Sequence, residues 1–180
     1  MEVPDQRLPA ATFEDLALPL FDQLYNFAQW LTQDRPEAED LVQETFAKAL
    51  RGFAGYQPGT NFRAWMFRIL RNSFLTSRTG LKPTVPLEDD APDTIASADP
   101  TPENVLIQQA NREMVQQALA EMSVQFREIL LLCDVEEMSY QEIAQVLTIP
   151  TGTVMSRLHR ARKALRGLLV DRIPGGAHGV

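Results

Sequence analysis

At 180 residues the chain has room for one domain or two small ones, and 44% hydrophobic with 23% charged residues is the balance of a globular protein, which excludes a disordered or membrane-embedded chain. The longest apolar run, Ile129 to Cys133, is far too short to span a bilayer, and the acidic, proline-containing start lacks the regions of a signal peptide, so no membrane insertion and a cytoplasmic location are expected. The net charge of -7 hides two basic islands: Asn61 to Lys82 holds five basic and no acidic residues, Thr151 to Val180 holds six basic and one acidic, and together they imply two local anion contacts in an acidic chain.

Leu16, Leu20, Leu24, Phe27 and Leu31 keep a helical spacing that ends near Thr32, with Pro19 either beginning this helix or splitting it. Asp34 and Glu37, three apart, form the pattern of a capping box and open a helix through AEDLVQETFAKAL. Its apolar stripe, Ala38, Leu41, Val42, Thr45, Phe46, Ala49 and Leu50, leaves Glu39, Asp40, Gln43 and Glu44 gathered on an acidic side. A solvated face near the positive end of the helix explains those acids as well as a docking surface does.

Gly52, Gly55, Pro58 and Gly59 mark a loop, and Thr60 or Asn61 caps the next helix. Within Phe62 to Arg78, projection at about 100° per residue puts Phe62, Trp65, Met66 and Ile69 on an inward face. Arg63, Arg68, Arg71 and Arg78 share the opposite arc, with Phe67 and Phe74 between them. Basic side chains interleaved with aromatics can hold phosphates and offer ring faces to unstacked bases; the plainer alternative is two core phenylalanines and four solvated arginines.

Leu81 to Pro102 contains five prolines, five acidic residues and no aromatic residue, the composition of a flexible acidic linker. Thr101 followed by Pro102 starts a helix through Val105, Ile107, Met114, Val115, Ala118, Leu119 and Met122, and Ser123 starts another. Phe126, Ile129, Leu130 and Cys133 then supply core, and the single cysteine and two scattered histidines give neither a disulfide nor a metal cluster. No cofactor is expected.

Ser139 and Glu142 form a second capping box, opening a helix whose inward side is Ile143, Ala144, Val146 and Leu147. Thr148 to Pro150 break it, and a new helix starts near Thr151. Val154, Leu158, Ala161, Leu165 and Leu168 fall on one stripe; Ser156, His159, Arg160, Lys163 and Arg166 lie on the other side. Two helices joined by so short a turn, the second basic, have the pattern of a helix-turn-helix, although a solvated hairpin shares it. The final IPGGAHGV is expected to be a tail.

SYQEIA followed by PTGTVMSRLHRARKAL closely resembles the end of bacterial sigma factors of the extracytoplasmic-function (ECF) subgroup. EDLVQETF and GTNFRAWMFRILRNSFLTSRT resemble two earlier segments of the same family, in the same order. The resemblance implies an all-α chain of two small helical domains: residues 1–80 docking core RNA polymerase and opening the minus-ten element, a linker over 81–101, and a helix-turn-helix domain over 102–180 reading the minus-thirty-five element. It implies polymerase contact by Glu39, Asp40, Gln43 and Glu44. It implies minus-ten contacts from Arg63, Arg68, Arg71, Asn72, Phe74 and Arg78, with a base-capture loop over Ser73 to Leu81. Upstream contacts fall to Thr151, Thr153, Ser156, Arg157, His159, Arg160 and Lys163, and an anti-sigma factor is the expected regulator.

Four positions depart from the family pattern. Thr148 stands where glycine is common, Met155 where lysine is frequent, and Thr76 with Ser77 where many relatives carry acidic or aromatic residues. Two other functions fit parts of the sequence: a decoy that binds an anti-sigma factor without DNA, and a helix-turn-helix regulator that acts without polymerase. The decoy leaves both basic islands unexplained, and the regulator leaves EDLVQETF unexplained. No nucleophile-base pair or phosphate loop suggests an enzyme.

Overall fold

The computed structural model describes residues 11–79 and 112–172. All regular structure among them is helical. The expected linker over 81–101, the Thr101–Pro102 helix start with Val105 and Ile107, and the final IPGGAHGV lie outside the described residues.

In the first half, α1 (Phe13–Ala17) runs through a 3-10 turn at Leu18–Leu20 into α2 (Phe21–Thr32), so Pro19 splits the helix rather than beginning it. Helix α3 (Arg35–Gly52) starts at Asp34, whose carboxylate accepts from the Glu37 amide at 2.8 Å. The Glu37 side chain turns instead to Arg78, 3.0 Å away on α4 (Phe62–Thr79), and so ties the start of α3 to the end of α4. Asn61 Oδ1 accepts from the Ala64 amide, which settles the cap of α4 on Asn61. Leu24, Phe27 and Leu31 of α2 pack with Ala38, Leu41, Val42 and Ala49 of α3 and with Met66, Phe67, Leu70 and Phe74 of α4. Phe13, Phe46, Phe53, Tyr56, Phe62 and Trp65 form a second group of mainly edge-on and tilted rings at the loop end of these helices.

The second half comprises α5 (Arg112–Glu121), α6 (Val124–Leu130) continuing as a π-turn over Leu131–Val135, α7 (Tyr140–Leu147) and α8 (Thr151–Val170). The capping box at Ser139 and Glu142 is complete: the Ser139 hydroxyl accepts from the Glu142 amide and Glu142 accepts from the Ser139 amide. At the other end of α7 the Ala144 carbonyl accepts from the amides of both Thr148 and Ile149, which closes the helix. That closure requires a left-handed residue, and Thr148 takes it with φ 57°. Val154, Leu158, Ala161 and Leu165 of α8 are buried against α6 and α7, so the short turn folds α8 back on its predecessors as a helix-turn-helix.

The two halves are in contact. Helix α4 packs along α7, and α2 touches α6, which is buried on nearly every side.

Candidate nucleic-acid interface

Helix α3 places Glu39, Asp40, Gln43 and Glu44 together on its exposed side. Glu39 pairs with Arg35 at 3.0 Å and Glu44 with Lys48, each one helical turn away. The α3 residues facing the core are those of the expected stripe, with Leu50 as the exception at 55% exposed.

Helix α4 corrects three expectations. Its inward face is Ala64, Met66, Phe67, Leu70, Arg71, Ser73 and Phe74, whereas Phe62, Trp65 and Ile69 are half-buried at its flank. Phe67, Leu70 and Phe74, at intervals of three and four, are themselves a core stripe, which places Phe74 at 1% exposed, beyond the reach of a base. The interleaving of charge and ring is real, but each ring carries an arginine of its own helix: Arg63 lies 5.4 Å from the Phe67 centroid and Arg78 lies 5.2 Å from that of Phe74. Finally, residues 73–79 continue the helix instead of forming a loop; residues 80–81 lie outside the described residues.

The α4 cations are not equivalent. Arg68 and Arg78 are exposed and Asn72 is half-buried. Arg68 lies with Trp65 and Gln145 on a cleft of about 480 Å³ between α4 and α7. Arg71 is 8% exposed and grips Glu128 of α6 with both arms of its guanidinium, Nε to Oε2 at 2.8 Å and an Nη to Oε1 at 3.0 Å. Arg63 donates to the Glu136 carbonyl at 2.7 Å and pairs with its carboxylate at 3.2 Å. Asn61 donates to Glu142 at 2.9 Å. The expected minus-ten contacts Arg63 and Arg71 are therefore occupied by acids of the second half.

On α8, His159 and Lys163 are exposed, while Thr151, Thr153, Ser156 and Arg160 are half-buried on the outer side. Met155 joins them at 41% exposed. Arg157 is corrected: it follows Val154 by three and precedes Ala161 by four, so it falls on the core stripe, is 4% exposed and acts electrostatically on Glu128.

Glu128 is thus the buried acid on which Arg71 and Arg157 converge. Burial pushes its carboxyl up, and the two guanidinium groups work against that rise. Its neighbour Arg127 donates to the carbonyls of Leu119, Ala120 and Met122 and, across to α2, to that of Leu31. Sequence inspection passed over both residues. The signal was present in FREILLLC, a charged pair inside the apolar run of a helix, which needs buried partners.

Glu142 carries a second task besides its capping box. Partial burial raises its carboxyl, but the Ser139 amide, Asn61, the Ser139 hydroxyl and Arg63 outweigh burial and hold it below the ordinary range. Burial, with Asp134 alongside, pushes the Cys133 thiol up to about 11, which matches a packed thiol rather than a reactive one. Among the described residues no group of His, Cys, Asp or Glu could hold a metal ion, and no helix is long and apolar enough to cross a membrane.

Residues 19–82 match the family described as Sigma-70 region 2, and residues 112–165 that described as Sigma-70, region 4. The ECF RNA polymerase sigma factor SigE of Mycolicibacterium smegmatis is 38% identical over 88% of this chain, which spans 65% of that relative's length. The ECF RNA polymerase sigma factor EcfG of Rhodopseudomonas palustris is 34% identical, covering 88% of this chain and 85% of its own. Among solved structures, the sigma factor RpoE in complex with the anti-sigma factor NepR from Bartonella quintana is similar with a TM-score of 0.63 and 30% identity, over 87% of this chain and 97% of that one. CnrH in complex with the cytosolic domain of CnrY has a TM-score of 0.64 at 24% identity, over 89% of each chain.

Proposed function

Because this chain belongs to the ECF sigma factors, we propose that it binds core RNA polymerase and directs it to promoters carrying minus-ten and minus-thirty-five elements. The observation that carries this is the joint presence, in family order, of an exposed acidic face on α3 and a helix-turn-helix whose second helix turns basic and polar side chains outward. Glu39, Asp40, Gln43 and Glu44 dock polymerase. Arg68, Asn72 and Arg78, joined by Arg63 and Arg71 once these are free, hold the minus-ten strand. Thr151, Thr153, Ser156, His159, Arg160 and Lys163 face the upstream element, where cations on phosphate set register and the donors of polar side chains distinguish bases.

The domains divide as 1–80, 81–101 and 102–180. The protein works in the cytoplasm as a specificity subunit, and catalysis belongs to the polymerase. An anti-sigma factor restrains it, as the NepR-bound RpoE structure suggests. Run-off transcription with purified core polymerase on a genomic fragment library tests the function: new transcripts sharing two spaced elements are expected, and their absence despite active core enzyme rejects it. Charge reversal of Glu39, Asp40 and Glu44 to lysine is expected to weaken core binding by more than about tenfold while leaving helicity unchanged.

A further inference from the structure

We infer that Asp134, on the π-turn after α6, is a positioning residue for promoter reading: through Arg162 it fixes the roll of α8 about its own axis, so that the outer side chains of that helix meet base edges in register. The inference rests on the assignment of α8 to the upstream element.

The outer side chains of α8 take their aim from the way the helix itself is held. Its apolar stripe, Val154, Leu158, Ala161 and Leu165, supplies adhesion, but the burial of apolar area is non-directional. Direction comes from two arginines at the borders of the stripe. Arg157 and Arg162 lie about 140° apart round the helix, with the stripe between them. Arg157 acts on Glu128 of α6. Arg162 reaches the far end of the same element, one Nη lying 2.6 Å from Asp134 Oδ1 and its Nε 3.5 Å from Oδ2. A planar fork on a carboxylate fixes orientation as well as distance, so with an anchor on each border a roll of α8 must break one of them.

The place and the chemistry of the pair both point to orientation rather than stability. Asp134 lies on the one π-turn among the described residues, where the Glu136 amide donates to the Leu131 carbonyl at 2.9 Å. Such widened turns are rare and occur mostly where a side chain has a task. This one presents Cys133 and Asp134 together to Arg162, the Cys133 sulfur being 3.7 Å from the guanidinium. Burial works against the Arg162 charge, and the hydrogen bond and the charge of Asp134 outweigh it. The two side chains remain 26% and 42% exposed, so solvent screening leaves the pair little weight in folding. An acid close to a reading helix also has the wrong sign for DNA, since it repels phosphate, and its presence there needs a purpose other than affinity.

The test uses holoenzyme assembled from purified core polymerase and the full chain. A promoter fragment obtained by run-off transcription is compared with the same fragment carrying a scrambled upstream element, and the ratio of the two Kd values measures base reading. A loss of stability or of active protein changes both Kd values together and leaves the ratio unmoved. Asp134→Asn is expected to lower the ratio by about tenfold, the discrimination of one base contact, while the Kd for the scrambled fragment stays within about twofold. If Asp134 acts only as a charge, both fragments bind tighter and the ratio is unchanged, which overturns the proposal. Arg162→Gln should reproduce the loss, and the double variant should lose no more than either single one, because the pair acts as a unit; losses that multiply overturn it. A parallel loss on both fragments in Arg162→Gln, with a shallower salt dependence, assigns Arg162 to a phosphate and overturns the proposal as well. A wild-type ratio of about 1 rejects the upstream assignment and the inference with it, whereas a high wild-type ratio that Asp134→Asn leaves intact rejects the inference alone. Should circular dichroism show Asp134→Asn unfolded, Arg162→Lys keeps the charge and removes the fork. There the ratio is expected to fall by about threefold, and an unchanged ratio overturns the proposal equally.

Discussion

Thr148 shows how a single residue carries the geometry of the helix-turn-helix. With φ 57° and ψ 47° it occupies the left-handed region that lets Ala144 accept two closing hydrogen bonds, and its branched side chain is exposed, so no packing offsets the strain. Glycine removes the steric cost of about 1–2 kcal/mol but gives back part of it as chain entropy, roughly 0.5–1 kcal/mol. Thr148→Gly is therefore expected to stabilise the chain by about 0.5–1 kcal/mol, seen as a higher urea midpoint with unchanged slope; a lower midpoint would show that the threonine side chain makes a compensating contact. This strain was legible only through the family resemblance, which puts glycine, the residue that takes a positive φ freely, where Thr148 stands. What Phe74 and Arg157 do was less legible. Arg157 sits at the edge of its stripe, where a projection of about 100° per residue assigns a side by a margin of one position, whereas Phe74 lies in the middle of the face that α4 buries, which the expected inward face of Phe62, Trp65, Met66 and Ile69 placed too far round the helix. The neighbouring helix decides such cases, and for Arg157 it is α6, which packs on α8.

At the scale of elements, the helices of the helix-turn-helix follow from local rules, since a capping box, a proline and a stripe of spacing three and four all act within one turn of chain. The same rules missed α6 as the hub. Its Glu128 is matched by Arg71, 57 positions away, and its Arg127 reaches Leu31, 96 positions away, besides three nearer carbonyls, and local patterning cannot register such separations. The outer face of α8, by contrast, depends on nothing distant, which makes it the place to alter DNA affinity without altering the fold. Met155 is exposed among Ser156, His159 and Lys163's side of the helix and spends no core packing if replaced. Met155→Lys adds one cation where a phosphate is expected. Duplex affinity should rise, and the slope of log affinity against log salt should steepen by about 1. An unchanged slope would place this face away from the DNA backbone.

For the whole molecule, the question is whether the halves unfold as one body or as two. Arg127 offers a direct handle because its guanidinium closes the carbonyl ends of two helices, Leu119 and Ala120 at the end of α5 and Leu31 at the end of α2, one in each half. Its burial lowers its own affinity for a proton and brings it into the field of Arg78, a cost the four accepting carbonyls offset. Methionine has similar length but donates nothing, so Arg127→Met leaves those carbonyls short of a partner and is expected to destabilise the second half by roughly 3 kcal/mol. Both tryptophans, Trp30 and Trp65, belong to the first half and line clefts it shares with the second, so fluorescence follows that half and its docking while far-ultraviolet circular dichroism follows both. In the wild type the two probes should give one coincident urea transition, because polar links and one continuous buried cluster couple the halves. In Arg127→Met they should separate, with dichroism falling at lower urea than fluorescence. If the probes stay coincident in the variant, the coupling runs through the Arg71–Glu128 pair rather than through Arg127, and the order in which the links open on the way to the promoter changes accordingly.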